Sequence, residues 1–95
     1  ILFDVAAGAV LEANAAAAAL LGRPLGTMAG LPLRDAFGTS VESADAARIF
    51  EELFAAGRMQ SRCDLCSASG ERLVVDAFAT VIPRDGRPLV HALLV

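Results

Sequence analysis

Residues 1–37 run ILFDVAAGAVLEANAAAAALLGRPLGTMAGLPLRDAF. The apolar start and the turn at Gly8 predict two short strands, since glycine reaches the positive φ that a tight connection needs. Asn14 then precedes an alanine run, and asparagine is a preferred N-cap because its side chain accepts hydrogen bonds from unpaired backbone N–H groups. The sequence therefore predicts two strands followed by a helix that runs to Leu21 and ends at Gly22.

The segment from residue 22 to residue 41 is dense in glycine and proline, which argues against a long helix there. Apolar residues still recur at near-helical spacing, so we expect short helical turns that close over a core. A longer helix is expected over residues 43–56, with Ser43 as its N-cap. Its predicted apolar face consists of Ala46, Ala47, Phe50, Leu53, Phe54 and Gly57.

Three strand-like segments after this helix predict an antiparallel meander: the first two alternate, and the third is apolar on both faces apart from His91. The strands are expected over residues 59–68, 72–83 and 88–95, with turns at Ser69-Gly70-Glu71 and at the hairpin signal Asp85-Gly86. In the middle strand, one predicted face carries Leu73, Val75, Ala77, Ala79 and Val81, and the other carries Val74, Asp76, Phe78, Thr80 and Ile82.

The apolar residues on the second of these faces indicate that this face is not simply solvated. An antiparallel sheet with one wet face should alternate cleanly between apolar and polar residues, yet Val74, Phe78 and Ile82 stand on the face opposite the small residues. Either both faces are covered or the outer face meets a partner, and the pattern favours a partner. These three residues are the candidate dimer interface.

The composition indicates one ordered domain. With 95 residues, of which 56% are hydrophobic, the chain is long enough for a modest core and too apolar for intrinsic disorder. The net charge is −3 and the arginines are scattered singly, so there is no basic stripe and a nucleic-acid surface is disfavoured. The use of arginine without lysine, together with the many alanines, is typical of GC-rich bacterial genomes.

No apolar run is long enough to span a membrane, and no secretory signal is present. The chain begins inside a strand pattern without an initiator methionine, so we expect a domain excised from a larger protein. The expected location is the cytoplasm, and neither a membrane nor a nucleic acid is expected as a partner of this domain.

Cys63 and Cys66 form a Cys-Asp-Leu-Cys spacing, which marks a redox pair or half a metal site in some proteins. Here the segment alternates like a strand, and strand residues three apart point to opposite faces. Two cysteines without a nearby histidine also fall short of a four-ligand metal set. The residues therefore favour a structural role, with buried thiols acting as small hydrophobic groups and no metal bound.

The signals fall in the order strand, strand, helix, short helices, long helix and three strands. This order resembles that of PAS domains, and the resemblance covers the whole chain. The pieces that carry it are Gly8, Glu12-Ala13-Asn14, Leu20-Leu21-Gly22, Gly30-Leu31-Pro32-Leu33-Arg34-Asp35-Ala36-Phe37, Ser69-Gly70-Glu71 and Asp85-Gly86-Arg87-Pro88. The resemblance implies an α+β fold with a five-stranded antiparallel sheet in the order 2-1-5-4-3 and helices packed on one face.

The resemblance also implies a function in sensing and signal transduction. PAS domains commonly form dimers through the outer sheet face or a flanking helix, and they regulate a tethered output domain. A histidine kinase of a two-component system, a diguanylate cyclase or phosphodiesterase, and a transcription regulator are all plausible parents. Where PAS domains bind ligands, the ligand lies between the long helix and the sheet.

The cofactor signatures of the PAS family are missing from this chain. Haem-binding members use a histidine on the long helix, whereas His91 is the only histidine and is expected on the last strand. Flavin-binding photosensors carry an Asn-Cys-Arg motif and iron–sulfur members need four cysteines, but this chain has no such motif and two cysteines. Haem, flavin and iron–sulfur clusters are therefore disfavoured, which leaves a small organic ligand or no ligand.

A ligand pocket, if present, is expected to have walls from the short helices, the long helix and the sheet. The candidate residues are Met28, Leu33, Phe37, Phe50, Phe54, Ser61, Cys63 and Ala79. The alternative is that Phe50 and Phe54 fill this space, since phenylalanine at helical spacing is usually part of a core. The residues slightly favour the filled core.

Three functions follow from these observations. The first is a PAS-type sensor that dimerises and binds a small organic ligand, and the second is a ligand-free dimerisation scaffold. The third is an enzyme, for which Asp35, Asp76 and His91 are the only candidates for acid–base work. Because these three belong to separate elements and no nucleophile motif, phosphate loop or metal set accompanies them, we expect no catalytic activity from this domain.

Overall fold

The computed structural model describes residues 1–38, 44–84 and 87–95. Within these ranges the chain forms five strands, three α-helices and a 3₁₀ turn at Leu25–Thr27. The strands are β1 (Leu2–Asp4), β2 (Ala9–Glu12), β3 (Arg58–Cys66), β4 (Arg72–Ile82) and β5 (Leu89–Leu94), and the helices are α1 (Ala15–Leu20), α2 (Leu33–Phe37) and α3 (Ala44–Ala56).

The strands form one antiparallel sheet in the order β2-β1-β5-β4-β3, which confirms the predicted fold. The last strand, β5, therefore lies in the middle of the sheet, beside the first strand, β1. The segment that precedes α2 covers the β2 edge, because the Val10 N–H donates to the Leu31 carbonyl (2.8 Å) and the Gly30 N–H donates to the Val10 carbonyl (2.7 Å). Covering an edge strand in this way protects it from pairing with another chain.

The predicted start and end of α1 are confirmed to within one residue. The Ala17 N–H donates to Asn14 Oδ1 at 2.8 Å, and Gly22 has a φ of 64°, as expected for a residue that ends a helix. The last helical residue is Leu20, and the fully buried Leu21 is the C-cap. The Leu21 carbonyl accepts a hydrogen bond from the Ala68 N–H (2.9 Å), which joins the end of α1 to the turn after β3.

Asp4 is a buried carboxylate that the sequence pattern did not single out. It is 5% exposed; its Oδ1 accepts a hydrogen bond from the Ala7 N–H (3.0 Å), and its Oδ2 lies 2.6 Å from Arg87 Nη2. Buried charges are tolerated when they are paired and hydrogen-bonded, and both conditions hold here. The pair connects the β1–β2 turn to the start of β5, so it links parts of the chain that lie 83 residues apart.

The predicted buried face of α3 is only partly correct. Leu53 is buried and Phe50 is half-buried, but Ala47 and Phe54 are exposed. The reason is the position of these residues around the helix axis. At 3.6 residues per turn, Ala47 and Phe54 lie about 80–100° from Ala46, so they fall at the edge of the helix face that contacts the sheet. The predicted N-cap, Ser43, lies outside the described residues, as does the hairpin signal Asp85-Gly86.

The inner face of the sheet packs against the helices and carries most of the core. Alternation along β4 follows the prediction, with Val75 buried on the inner face and Val74 and Phe78 exposed on the outer face. The buried core cluster consists of Ile1, Phe3, Val10, Ala18, Leu21, Met28, Leu31, Leu33, Ala36, Leu53, Leu65, Val75, Val90 and Ala92. In the part of the chain that is described, no helix is long and apolar enough to cross a membrane.

Candidate ligand cavity

An apolar cavity of about 380 Å³ lies between α3 and the inner face of the sheet, and it is partly open to solvent. Ligand sites in proteins typically have volumes of roughly 300–1,000 Å³. The expectation of a filled core was therefore wrong for this half of the domain. The cavity, called here the α3 cavity, is lined by Phe3, Phe37, Ala46, Ile49, Phe50, Leu53, Met59, Ser61, Arg62, Cys63, Asp64, Ala77, Ala79, Val90 and Ala92.

Small side chains on the sheet create this space. Ala77, Ala79 and Ala92 form the floor of the α3 cavity, and Ala79 and Ala92 are direct neighbours in the β4–β5 register. On β3, the other neighbour of β4, Ser61 is opposite Ala77 and Met59 is opposite Ala79. Because a methyl group extends only a short distance from the sheet, the floor stays low while neighbouring larger side chains form the walls.

Aromatic rings and aliphatic groups form the roof and one wall. Ile49, Phe50 and Leu53 line the cavity from α3. The Phe3 ring packs against Phe37, with ring centroids 5.6 Å apart and an interplanar angle of 59°, and against Phe50 at 6.4 Å and 70°. Such tilted and edge-on contacts are the favoured arrangements of aromatic pairs. They hold the three rings in place around the cavity without filling it.

The polar groups of the lining lie on β3. Ser61 and Cys63 lie on the inner face of β3. Arg62 and Asp64 alternate with them along the same strand. The Arg62 guanidinium lies 3.4 Å from Asp76, and the Asp64 carboxylate lies 2.7 Å from Arg72. These exposed ion pairs are each worth at most about 1 kcal/mol, but they give the charged groups partners along the strand pair.

Cys63 and Cys66 are both free thiols, as their predicted positions on opposite faces require. Burial raises the pKa of the Cys63 thiol above its ordinary value of 9.0, and the neighbouring carboxylates Asp64 and Asp76 raise the pKa further. Cys63 therefore presents a neutral thiol to the α3 cavity at neutral pH. Cys66 does not line the cavity, and its thiol lies 3.7 Å from the Ser67 carbonyl.

The raised pKa of Cys63 predicts a loss of stability in alkaline solution. Below pH 9.0 this thiol is protonated in both states, whereas above pH 9.0 it ionises first in the unfolded chain, so the free energy of unfolding falls. The chain has no lysine and no tyrosine to mask this effect.

We expect Cys63→Ser to flatten the dependence of stability on pH above 9.0, as measured by urea unfolding at several pH values. Cys66→Ser is the matched control, because it removes the other thiol and keeps the one in the cavity. Equal pH dependences in the wild-type chain and Cys63→Ser would contradict the assignment.

The structure places five of the eight candidate pocket residues in the lining. These five are Phe37, Phe50, Ser61, Cys63 and Ala79. Met28 and Leu33 lie instead in the buried core, where they are 1% and 5% exposed. Phe54 lies outside the lining, is 37% exposed and stacks on Phe50 with ring centroids 6.5 Å apart.

Several lining residues were not among the candidates. Phe3, Val90 and Ala92 come from the central strands β1 and β5, and Ile49 comes from α3. Alternation places Val90 and Ala92 on one face of β5. The sequence pattern of the last strand could therefore have identified both residues as candidates for the lining. Ile49 lies one residue before Phe50 on α3, and the apolar stripe marked from the sequence was placed too far round the helix to include it.

An exposed apolar surface covers the opposite face of the sheet. The three candidate interface residues Val74, Phe78 and Ile82 are exposed there, and Leu93 and Val95 extend the same surface. Phe78 is paired in register with Leu93. We call these five residues the outer surface.

The three residues considered for acid–base chemistry do not form a shared site. Asp35 is exposed on α2, His91 is exposed on β5, and Asp76 pairs with Arg62 on the outer face of the sheet. Over residues 1–38, 44–84 and 87–95, no group of three or more histidine, cysteine, aspartate or glutamate side chains is arranged to hold a metal ion.

The fold is similar to those of solved PAS domains. A PAS domain of a protein from Colwellia psychrerythraea matches with a TM-score of 0.79 at 11% sequence identity, covering 100% of this chain and 83% of that one. The PAS domain of a LuxR-family transcriptional regulator from Burkholderia thailandensis, solved in complex with ethanol, matches with a TM-score of 0.77 at 13% identity, covering 100% and 86%.

A PAS domain from a two-component sensor histidine kinase matches with a TM-score of 0.66 at 15% identity, covering 86% of this chain and 71% of that one. No protein-family model and no curated protein matches the sequence. Identities this low establish the shared architecture only. The strand order, the helices on one face and these matches show that the chain has the fold of a PAS domain.

Proposed function

We propose that this domain is a sensory module that binds a small organic molecule in the α3 cavity and regulates a tethered output domain. The observation that carries the proposal is the cavity itself, a space of about 380 Å³ that the side chains leave open between α3 and the sheet. A partly open, mostly apolar space with a few polar groups is typical of sites for small molecules, and its volume lies within their usual range. The PAS domains with the same fold come from a transcriptional regulator and a sensor kinase, and one was solved with ethanol bound.

In this proposal, strand β5 transmits the effect of ligand binding from the α3 cavity to the outer surface. Ala92 lines the cavity, and Leu93, the next residue of β5, lies on the outer surface beside Phe78. A ligand that contacts both α3 and the floor therefore acts on a strand whose other face is exposed. Binding shifts the population between two arrangements of the sheet by as much as its affinities for the two arrangements differ.

Native mass spectrometry of the purified chain tests this function directly. We expect a protomer mass that exceeds the chain mass by a small non-covalent adduct, which is lost when the protein is denatured. A bare chain mass, with no adduct after incubation with cell metabolite extract, would contradict the proposal of a ligand sensor.

A second function, a ligand-free dimerisation scaffold, is supported by the outer surface. Val74, Leu93 and Phe78 are 59%, 57% and 41% exposed, and such a cluster of large apolar side chains is typical of an interface. A scaffold predicts a stable dimer whose mass and stability do not respond to small molecules. A sensor predicts that at least one of these properties responds.

Phe78→Glu is expected to convert the dimer into a monomer, because a carboxylate at the middle of the outer surface would have to lose its hydration on association. Size-exclusion chromatography with light scattering over a range of concentrations measures this change. Ala55→Glu is the matched control, since it adds the same charge at an exposed position of α3, away from the sheet. A dimer that survives Phe78→Glu unchanged would contradict the placement of the interface.

A further inference from the structure

The volume of the α3 cavity limits the size of its ligand. A cavity of roughly 150 Å³ lined by leucine, isoleucine and phenylalanine accepts one benzene ring. The α3 cavity measures about 380 Å³, which leaves room for two fused rings with a small substituent. Because the cavity is partly open to solvent, a polar substituent has access to water at its mouth.

The cavity lies between two facing layers, the sheet and α3, and this arrangement suits a flat molecule. Its floor is a row of methyl groups from Ala77, Ala79 and Ala92 on adjacent strands, and its roof is made by side chains of α3. The aromatic wall formed by Phe3, Phe37 and Phe50 presents rings that meet one another at steep angles. An aromatic ligand inserted between floor and roof can meet these rings edge to face, which is a favoured geometry for aromatic groups.

The charges around the cavity favour an uncharged molecule. The two charged residues of the lining, Arg62 and Asp64, are engaged with Asp76 and Arg72 of the neighbouring strand. An ionised group that lies against the alanine floor, away from the open mouth, would be surrounded by mostly apolar residues without a counter-charge, which is unfavourable. The hydroxyl of Ser61 and the thiol of Cys63 are the neutral polar side-chain groups of the lining, and they suit one hydroxyl or carbonyl group.

From size, shape and charge we infer that the α3 cavity selects uncharged, flat aromatic molecules of two fused rings that carry one neutral polar group. This inference rests on the proposed sensory function and specifies the class of ligand. The three alanines of the floor then determine selectivity, because larger side chains at these positions would occupy the space that the ring system needs.

Protection of Cys63 from alkylation by iodoacetamide provides the test. The wild-type chain is labelled with and without each probe, and peptide mapping gives separate rates for Cys63 in the cavity and Cys66 outside it. Cys66 is thus an internal reference for any effect of a probe on the reagent or on folding. The probes are 2-naphthol, its anionic counterpart 2-naphthoate, the non-planar decahydro-2-naphthol, the one-ring phenol and the four-ring 1-hydroxypyrene.

We expect 2-naphthol to slow the labelling of Cys63 and to leave the rate at Cys66 unchanged. Its apparent Kd, taken from the dependence of the rate on concentration, should be at least about tenfold lower than those of the other four probes. Equal or stronger protection by 2-naphthoate, decahydro-2-naphthol, phenol or 1-hydroxypyrene would overturn the inferred class while leaving the sensory function intact. Absence of protection by all five probes would overturn the inferred class, and with an adduct-free native mass it would overturn the ligand sensor as well.

Discussion

Ala79→Leu is expected to abolish ligand binding in the α3 cavity and, at the same time, to stabilise the fold. Residue 79 stands in the middle of the floor, between Met59 on β3 and Ala92 on β5. A leucine side chain there projects into the space that a ligand would occupy. Filling a cavity commonly raises the free energy of unfolding by about 1 kcal/mol, whereas loss of the slot removes the binding site altogether.

Two measurements check this result: the protection of Cys63 by 2-naphthol, which should disappear, and the thermal midpoint without ligand, which should rise. Ala55→Leu is the matched control, because it makes the same change at an exposed position of α3 that does not line the cavity. If Ala79→Leu retains the protection, the ligand does not bind on this floor.

Leu65→Ala is expected to have the largest effect on stability. Leu65 is 1% exposed, lies opposite Leu73 in the β3–β4 register and belongs to the core cluster, outside the cavity lining. Truncation of a buried leucine typically costs about 3 kcal/mol, from lost burial and from the void left behind. For a domain of this size we expect a fall in Tm of more than about 10 °C, measured by calorimetry or circular dichroism.

Val74→Ala is the matched control for Leu65→Ala, since it also shortens an aliphatic side chain on the same strand pair. Val74 is 59% exposed on the outer surface, so little burial is lost in the monomer. Its effect on the free energy of unfolding should stay within about 0.5 kcal/mol. Similar losses in the two variants would mean that the core does not extend to the end of β3 that carries Leu65.

Local signals in the sequence were sufficient for much of the fold. The cap formed by Asn14 and the positive φ of Gly22 depend on neighbouring residues, so α1 was predicted to within one residue. Alternation along β4 also depends on neighbours, and it assigned Val75 and Phe78 to the correct faces. The strand order was implied by the resemblance to PAS domains, whose pieces are distributed over the whole chain.

The cavity was harder to predict, because its walls come from elements that meet only in the folded chain. Phe3 was recognised as a strand residue, but its contact with Phe50 depends on β1 lying beside β5 beneath α3. Phe50 and Phe54 were both expected to fill the space, yet the orientation of α3 turns Phe54 towards solvent and leaves the alanine floor uncovered. No local pattern specifies that orientation.

The sequence by itself determined the bounds of α1 and of the last three strands to within two residues, which residues of β4 face inward, and that the two cysteines stand on opposite faces of β3. These features follow from backbone geometry and side-chain preferences over a few residues. Only the tertiary structure decided that Asp4 pairs with Arg87, 83 residues away, and that a space of about 380 Å³ stays open beneath α3. Both depend on how separate elements pack, since a distance between two elements is set by all the side chains between them and not by the neighbours of either one.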